Sequence, residues 1–344
     1  MDLYTPAGYV DFRAVRGIGL PFIFLLGGRG TGKTFGALET SIEDGLKFCY
    51  LRRRQTQLDL VNKPEFSPIR PVCRLRGWRY TMRPVAKGLS GFVPFDLDDD
   101  GREIITGPPV GFTAALSTVG NVRGFDSSDV ELAIYDEAIP ETGDLSLPHE
   151  ADKLANFYET FNRNRELEGR RPMQLICMAN ANDQASPILQ AWGLTDRVDR
   201  MRKKGSELWM DQRRGVGLIM LQDSPISEAK KQTALYRLTA GSDYAAMAID
   251  NDFSYTDRSH VRSMPLGEYT PLAQLAGWVI YKHKSEPRFY VSPHVAGAPH
   301  RYPSTEQGRE KFRLDYGYLW ACYVDGRVEF ETFAAKLWFT EAVY

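Results

Sequence analysis

A lysine and a threonine at the end of a glycine-rich loop can hold the phosphates of a nucleotide. Residues Gly27 to Thr34 read GGRGTGKT and fit the spacing G-x-x-x-x-G-K-[ST]. Exposed backbone N–H groups at a helix start, in a loop with little side-chain bulk, form a cradle for anions. Here Gly27, Gly28, Arg29, Gly30, Thr31 and Gly32 make the cradle. Lys33 is expected to reach the β- and γ-phosphates, and Thr34 to place its hydroxyl on Mg²⁺. The apolar run Ile23 to Leu26 enters this loop and the helix-compatible stretch Phe35 to Thr40 leaves it. A glycine-rich turn without a ligand does not account for Lys-Thr at the required place.

The second half of such a site is the segment ELAIYDEA, Glu131 to Ala138. A buried strand ending in Asp136 can hold the water shell of Mg²⁺ opposite Thr34. The adjacent Glu137 can orient and deprotonate an attacking water. Alone, Asp-Glu after a strand is a solvated turn; with an upstream phosphate loop it points to hydrolysis of a triphosphate. The sequence holds no N-K-x-D element for reading guanine, so ATP is the expected nucleotide. Asn180, at the end of the run Gln174 to Ala179, is placed to contact a γ-phosphate or the water; otherwise it is a turn-forming Asn. Arg163 and Arg165 lie in FNRNRE. They either serve a neighbour's γ-phosphate or complement the dipole at a helix end.

Positioning these groups requires a covered sheet. Short apolar runs recur at Lys47 to Arg52, Leu132 to Tyr135, Gln174 to Ala179 and Leu218 to Leu221. Separated by longer segments, they argue for an α/β fold with a mostly parallel central sheet. Leu154, Phe157 and Phe161 have helical spacing, predicting a helix over 154–164. Ser224 to Thr239 reads as helical and stops at Gly241. Further on, Trp278 to Tyr281, Phe289 to Val291, Phe312 to Tyr323 and Arg327 to Phe330 read as strands, with Asp325-Gly326 as a turn. The expected divisions are 1–222 for the nucleotide domain, 223–255 for a small helical linker and 256–344 for a β-rich C-terminal domain.

The chain has 344 residues, 43% hydrophobic and 25% charged, with a formal net charge of −1. This is the composition of a soluble globular protein, and any basic binding surface must be local. The cysteines Cys49, Cys73, Cys177 and Cys322 form no C-x-x-C; they read as reduced thiols of a cytoplasmic protein. The histidines have no metal-ligand spacing. No signal peptide opens the chain and no apolar run spans a bilayer, so no membrane partner is expected. From Phe66 to Phe95 there is no acid, while Arg70, Arg74, Arg76, Arg79, Arg83 and Lys87 fall inside with Trp78 and Tyr80. That is either a surface for phosphate backbones or a solvated β-hairpin. Arg197 to Arg214 and Arg52 to Arg54 are further basic clusters without base-reading character.

GGRGTGKT, FCYLRRR, IYDEA, RNRE, ICMANA and the linker-like LYRLTAGSDYAAMAIDNDF, in this order, resemble the phi-29-type DNA packaging ATPases of small tailed phages. The resemblance implies an additional-strand (ASCE) P-loop ATPase using ATP and Mg²⁺, with an RNase H-like, vestigial nuclease C-terminal domain. It implies a homomeric ring, taken as a pentamer, at the portal vertex of an empty capsid, where it drives double-stranded DNA inward. The partners implied are DNA, the portal and, in some members, a structural packaging RNA. The location implied is the host cytoplasm and, transiently, the portal vertex, with absence from the mature virion. Carried over residue by residue, Lys33 and Thr34 are the phosphate-loop pair, Asp136 the metal-shell acid and Glu137 the catalytic glutamate. Arg163 is the trans-acting arginine, Arg123 a basic residue acting between subunits, and Asn180 the polar residue after the third strand. Two alternatives stand beside this. One is a large terminase that also cuts DNA, for which Asp252, Asp257, Asp315 and Asp325 form no convincing constellation. The other is an ATP-binding assembly switch without motor activity, which would not need Glu137.

Overall fold

The computed structural model describes residues 2–86, 88–122, 126–140, 146–180, 186–221, 224–242, 244–245, 248, 256–294 and 297–344. Arg123, Lys87 and Asp252 lie outside the described residues, as does much of the linker-like string. The chain divides into two compact units: 1–192 with 201–255, and 193–200 with 256–344.

The first unit is built on a ten-stranded sheet. Its strands are β1 (Phe22–Gly27), β2 (Phe48–Arg52), β3 (Tyr80–Ala86), β4 (Leu89–Leu97), β5 (Glu103–Ile105), β6 (Gly111–Ala115), β7 (Leu132–Asp136), β8 (Gln174–Ala179), β9 (Leu208–Asp211) and β10 (Val216–Leu221). The order is β3-β4-β6-β2-β7-β8-β1-β10-β9, with β5 on β4. From β6 to β10 every neighbour is parallel; β4 and β9 join antiparallel at the two sides. One strand, β8, therefore lies between β1, which leads into the phosphate loop, and β7, which ends in Asp136. That insertion is the additional strand.

Alternation along each strand sends successive side chains to opposite faces. Ile23 and Leu25, Phe48 and Tyr50, and Leu132 and Ile134 join one core with Ala37 and Leu38 of the helix Lys33–Glu43. On the other face, Phe24 packs edge-on against Trp192 at 5.8 Å, and Phe22 meets Tyr158 of the helix Glu150–Asn162 at 4.6 Å. Leu154, Phe157 and Phe161 of that helix are buried at the predicted helical spacing. The stretch 224–239 is two short helices, Pro225–Lys231 and Ala234–Leu238, rather than one.

The second unit carries a five-stranded sheet of β11 (Tyr269–Leu275), β12 (Trp278–His283), β13 (Phe289–Ser292), β14 (His300–Tyr302) and β15 (Val328–Phe330), ordered β14-β11-β12-β13-β15. The expected strand over Phe312 to Tyr323 is instead the helices Glu306–Tyr316 and Tyr318–Val324. Phe312, Tyr316, Leu319 and Cys322 are buried in the core. Their spacing of three to four residues is helical, although their aromatic bulk suits a strand. Among the described residues no helix is long and apolar enough to cross a membrane.

β6 approaches β2 closely at Gly111, where an added Cβ would stand 2.6 Å from the Phe48 ring. Gly111→Ala is expected to destabilise the protein by about 1–3 kcal/mol, read as a lower urea midpoint. An unchanged midpoint would show that the Phe48 ring moves freely aside.

Candidate active site

The phosphate loop carries two left-handed glycines, Gly30 at φ 67° and Gly32 at φ 85°. An added Cβ at Gly32 would meet Tyr9 at 3.0 Å, and one at Gly27 would meet Leu221 at 2.9 Å. Packing from outside thus leaves no room for side chains at these positions. The N-terminal segment also holds the loop, because Val10 N–H donates to the Thr31 carbonyl at 2.9 Å. A further support comes from the segment after β10, which the motif does not reveal. The Lys230 amine donates to the Arg29 carbonyl, and Arg29 N–H donates to the Ala248 carbonyl at 3.1 Å.

Inside the loop Lys33 is buried. Its Nζ donates to the carbonyl oxygens of Gly27 (3.0 Å) and Gly28 (2.7 Å), and to Thr31 Oγ1 and Asn180 Oδ1 at 3.3 Å each. Burial brings its pKa down to about 8, Lys230 and Arg29 add to that effect, and Asp136 opposes it. The ammonium is therefore poorly compensated where it stands, and an anion in the loop would relieve it.

Thr34 Oγ1 donates to Asp136 Oδ2 at 2.9 Å. The same oxygen accepts from Tyr50 OH at 2.6 Å and Arg52 Nη1 at 3.2 Å. Asp136 Oδ1 accepts from the Glu137 N–H at 3.1 Å. Burial, and then Asp136, holds the Tyr50 hydroxyl well above its ordinary pKa, so Tyr50 is a permanent donor. Burial works against the charge of Arg52, but Tyr50, Asp136 and Glu137 outweigh it and raise its pKa.

Glu137 follows the strand in a left-handed conformation, φ 56°. This is unusual for a residue with a long side chain. Its carboxylate pairs with Arg52 Nη2 at 2.9 Å and is 39% exposed. A carboxylate held this way can turn to a water from the open side while its base remains anchored. The cleft of about 340 Å³ is lined by the phosphate loop, Asp136, Glu137 and Asn180. The hard oxygens of Thr34 and Asp136 stand side by side, a donor set suited to a hydrated Mg²⁺, and the glycine cradle leaves room for phosphates.

The structure thus brings together Lys33, Thr34, Asp136, Glu137 and Asn180. It does not bring Arg163 to them. Arg163 ends the helix Glu150–Asn162, exposed and at φ 48°. That is the end of the sheet where β7 and β8 begin, opposite the end that carries the cleft, since Asn162 Oδ1 accepts there from Met173 N–H at 2.7 Å. Arg165, read together with Arg163 from the sequence, is different in kind. It is buried, and its Nη2 donates to the carbonyls of Ser128 (2.7 Å) and Val130 (2.6 Å) just before β7. Burial lowers its pKa. Arg123 lies outside the described residues.

Several residues of the first and third basic clusters have acidic partners. Within 66–95, a helix, Ile69–Arg76, precedes the β3–β4 hairpin. Arg76 bonds Glu39 at 2.6 Å, Arg79 bonds Asp96, and Arg83 bonds Glu103 at 2.5 Å. Of the Arg52 to Arg54 cluster, Arg52 serves the cleft and Arg53 is buried against Glu150 at 2.9 Å. In the second unit Asp257 pairs with Lys336, Asp315 with the Tyr302 hydroxyl and Asp325 with Arg327. These acids stand in separate pairs.

The family model described as "Podovirus DNA encapsidation protein (Gp16)" matches residues 88–264. A DNA packaging protein of Bacillus phage phi29 is 27% identical over 237 residues, covering 67% of this chain and 61% of the relative. The corresponding protein of Bacillus phage B103 is 25% identical, covering 67% and 63%. The matched stretch thus spans about three fifths of the length of these curated relatives. Among solved structures, a chain of the bacteriophage Phi-29 viral genome packaging motor assembly superposes with a TM-score of 0.66 at 17% identity, covering 99% of this chain and 98% of that one. A chain of the Phi-28 gp11 DNA packaging motor gives 0.65 at 16% identity, covering 98% of each. At these identities the likeness is one of fold.

The burial of Lys33 has a pH signature. Its folded pKa of about 8 lies below the ordinary 10.5. Between those values the unfolded chain holds more protons, so stability rises with pH across that window. Below about pH 8 the full cost of the buried charge is present. Lys33→Met removes this contribution. Its stability advantage over the wild type is expected to shrink as pH rises from about 8 to about 10.5, measured by urea unfolding at fixed pH. A pH-independent difference would show that burial does not lower the pKa of Lys33.

Proposed function

This chain belongs to the podovirus DNA encapsidation protein (Gp16) family, and on that premise we propose that it is an ATPase that translocates double-stranded DNA into a preformed capsid. The observation that carries the reading is the meeting of Lys33 and Thr34 with Asp136 and Glu137 in one cleft, through the 2.9 Å contact of Thr34 with Asp136. The printed descriptions of the relatives, a DNA packaging protein and a genome packaging motor assembly, support the same reading.

In this mechanism the loop amides and Lys33 bind the triphosphate of ATP. Lys33 exchanges the carbonyls of Gly27 and Gly28 for phosphate oxygens. Thr34 and Asp136 would hold Mg²⁺, which would supply neutralisation of the phosphate charge. Glu137 leaves Arg52 to orient a water and accept its proton. Asn180, already within reach of Lys33, contacts the γ-phosphate or that water. Arg163 stands at the far end of its own sheet, so within a homomeric ring it serves a neighbour's cleft, stabilising charge there in the transition state. We propose a pentamer, acting in the host cytoplasm and transiently at the portal, with a packaging RNA as a further candidate partner. Arg123 is proposed to act between subunits as well.

The decisive measurement is ATP turnover with and without double-stranded DNA at several protein concentrations. Turnover is expected to rise with DNA and more steeply than linearly with protein. Glu137→Gln is expected to bind ATP and lose about 100-fold or more in turnover; near-normal hydrolysis would refute its role as base. Arg163→Ala is expected to bind nucleotide normally and lose about 1,000-fold in turnover. Mixing it with Lys33→Ala subunits should restore part of the activity. Absence of any rescue would count against a site shared between subunits.

A further inference from the structure

We propose that Arg53 and Glu150 are positioning residues for Glu137, setting the direction of its carboxylate without touching nucleotide or water. The inference rests on the ATPase reading above and assigns a role to two residues outside the cleft.

Neighbouring residues of the same basic cluster do different work. On β2 and just beyond it, alternation turns Arg52 to the face that carries Tyr50 and Asp136, where it meets both carboxylates of the cleft. Arg53 turns to the opposite face, toward Tyr135 and the helix Glu150–Asn162. There it is 2% exposed and Glu150 is 1% exposed. Arg53 Nε donates to Glu150 Oε1 at 2.9 Å. Tyr135 OH donates to the same oxygen at 2.7 Å, and Leu147 N–H donates to Oε2 at 3.1 Å. The carboxylate is thus fixed from three directions.

The other end of the guanidinium is where the inference lies. Arg53 Nη2 donates to the carbonyl of Glu137 at 3.0 Å and to that of Ala138 at 3.1 Å. The N–H on the other side of Glu137 is held by Asp136 Oδ1 at 3.1 Å. The Ala138 N–H donates to Met178 of β8 at 2.9 Å. Both peptide units flanking Glu137 are therefore pinned. Between them the residue adopts φ 56°, a conformation that a non-glycine residue keeps only when its surroundings over-determine it. Arg53 supplies the bonds from the side away from the cleft.

A purely structural purpose explains this poorly. Two apolar residues of similar volume stabilise a core as well as a buried ion pair, or better. What apolar residues cannot do is hold two adjacent carbonyls through Nη2 while Nε of the same rigid plane is fixed on Glu150. Such precision matters because a small misplacement of a catalytic group can reduce rate by about 100-fold.

The test compares full-length wild type, Arg53→Lys and the double variant Arg53→Met with Glu150→Leu. Each is measured for ATP turnover in the presence of DNA and Mg²⁺, for ADP binding and for thermal midpoint. Arg53→Lys keeps the charge but has a single nitrogen, so it cannot hold Glu150 and both carbonyls in one rigid plane. It is expected to fold, to bind ADP within about twofold of wild type and to lose about 10–100-fold in kcat. The double variant also takes the partners of Tyr135 OH and Leu147 N–H, so its midpoint is expected to fall, and folded protein is expected to show kcat at least about tenfold down. Either variant folding normally with kcat within about twofold of wild type would overturn the positioning role. Should the double variant fail to fold, Arg53→Lys still decides. Wild-type protein that fails to hydrolyse ATP would overturn the ATPase reading itself and this inference with it.

Discussion

Everything in the cleft refers to the carboxylate of Asp136. It accepts from Thr34 of the phosphate-loop helix and from Tyr50 and Arg52 of β2, groups separated from it by 102, 86 and 84 positions in sequence. It also accepts from the backbone of the next residue. A buried carboxylate with this many donors is fixed in orientation. Its charge also favours the charged form of Lys33, offsetting part of the burial. One acid thus sets the spacing between loop and strand, balances the lysine and presents an oxygen where a divalent cation is needed.

The two-residue alternation of β2 and β7 then separates two kinds of work. Even-numbered side chains, Tyr50, Arg52 and Asp136, face the cleft; odd-numbered ones, Arg53 and Tyr135, face the helix Glu150–Asn162. Backbone strain is concentrated along the same path. Glu137, His149 and Arg163, three non-glycine residues with positive φ, stand at the end of β7, at the start of that helix and at its end. Among the described residues of the unit, these three are the non-glycine positions of positive φ, and two of them are the proposed base and the proposed trans-acting arginine.

Much of this was legible in the sequence, for physical reasons. The phosphate loop and the Asp-Glu pair are local strings whose chemistry requires those residues at that spacing, and β1, β2, β7 and β8 are continuous apolar runs because both of their faces are covered. Three things were not legible. The arginines of 66–95 left a phosphate-binding surface and a solvated hairpin equally open, because partners such as Glu39 lie outside the segment, and the partner of Arg53, Glu150, is 97 positions away. Arg163 and Arg165 share a motif, yet only the fold shows one exposed and the other anchored beneath β7. In the second unit, the aromatic residues from Phe312 to Tyr323 suited a strand by type, while their spacing was that of a buried helical stripe.

The place of β8 has a mechanical consequence. Hydrogen-bonded to β1 along one side and to β7 along the other, it locks the two halves of the cleft into a single rigid chassis. Sliding one past the other would break two ladders at once. In the proposed motor, the moving parts are therefore the side chains and loops at the rim, with the pleated platform beneath as the fixed frame against which they push.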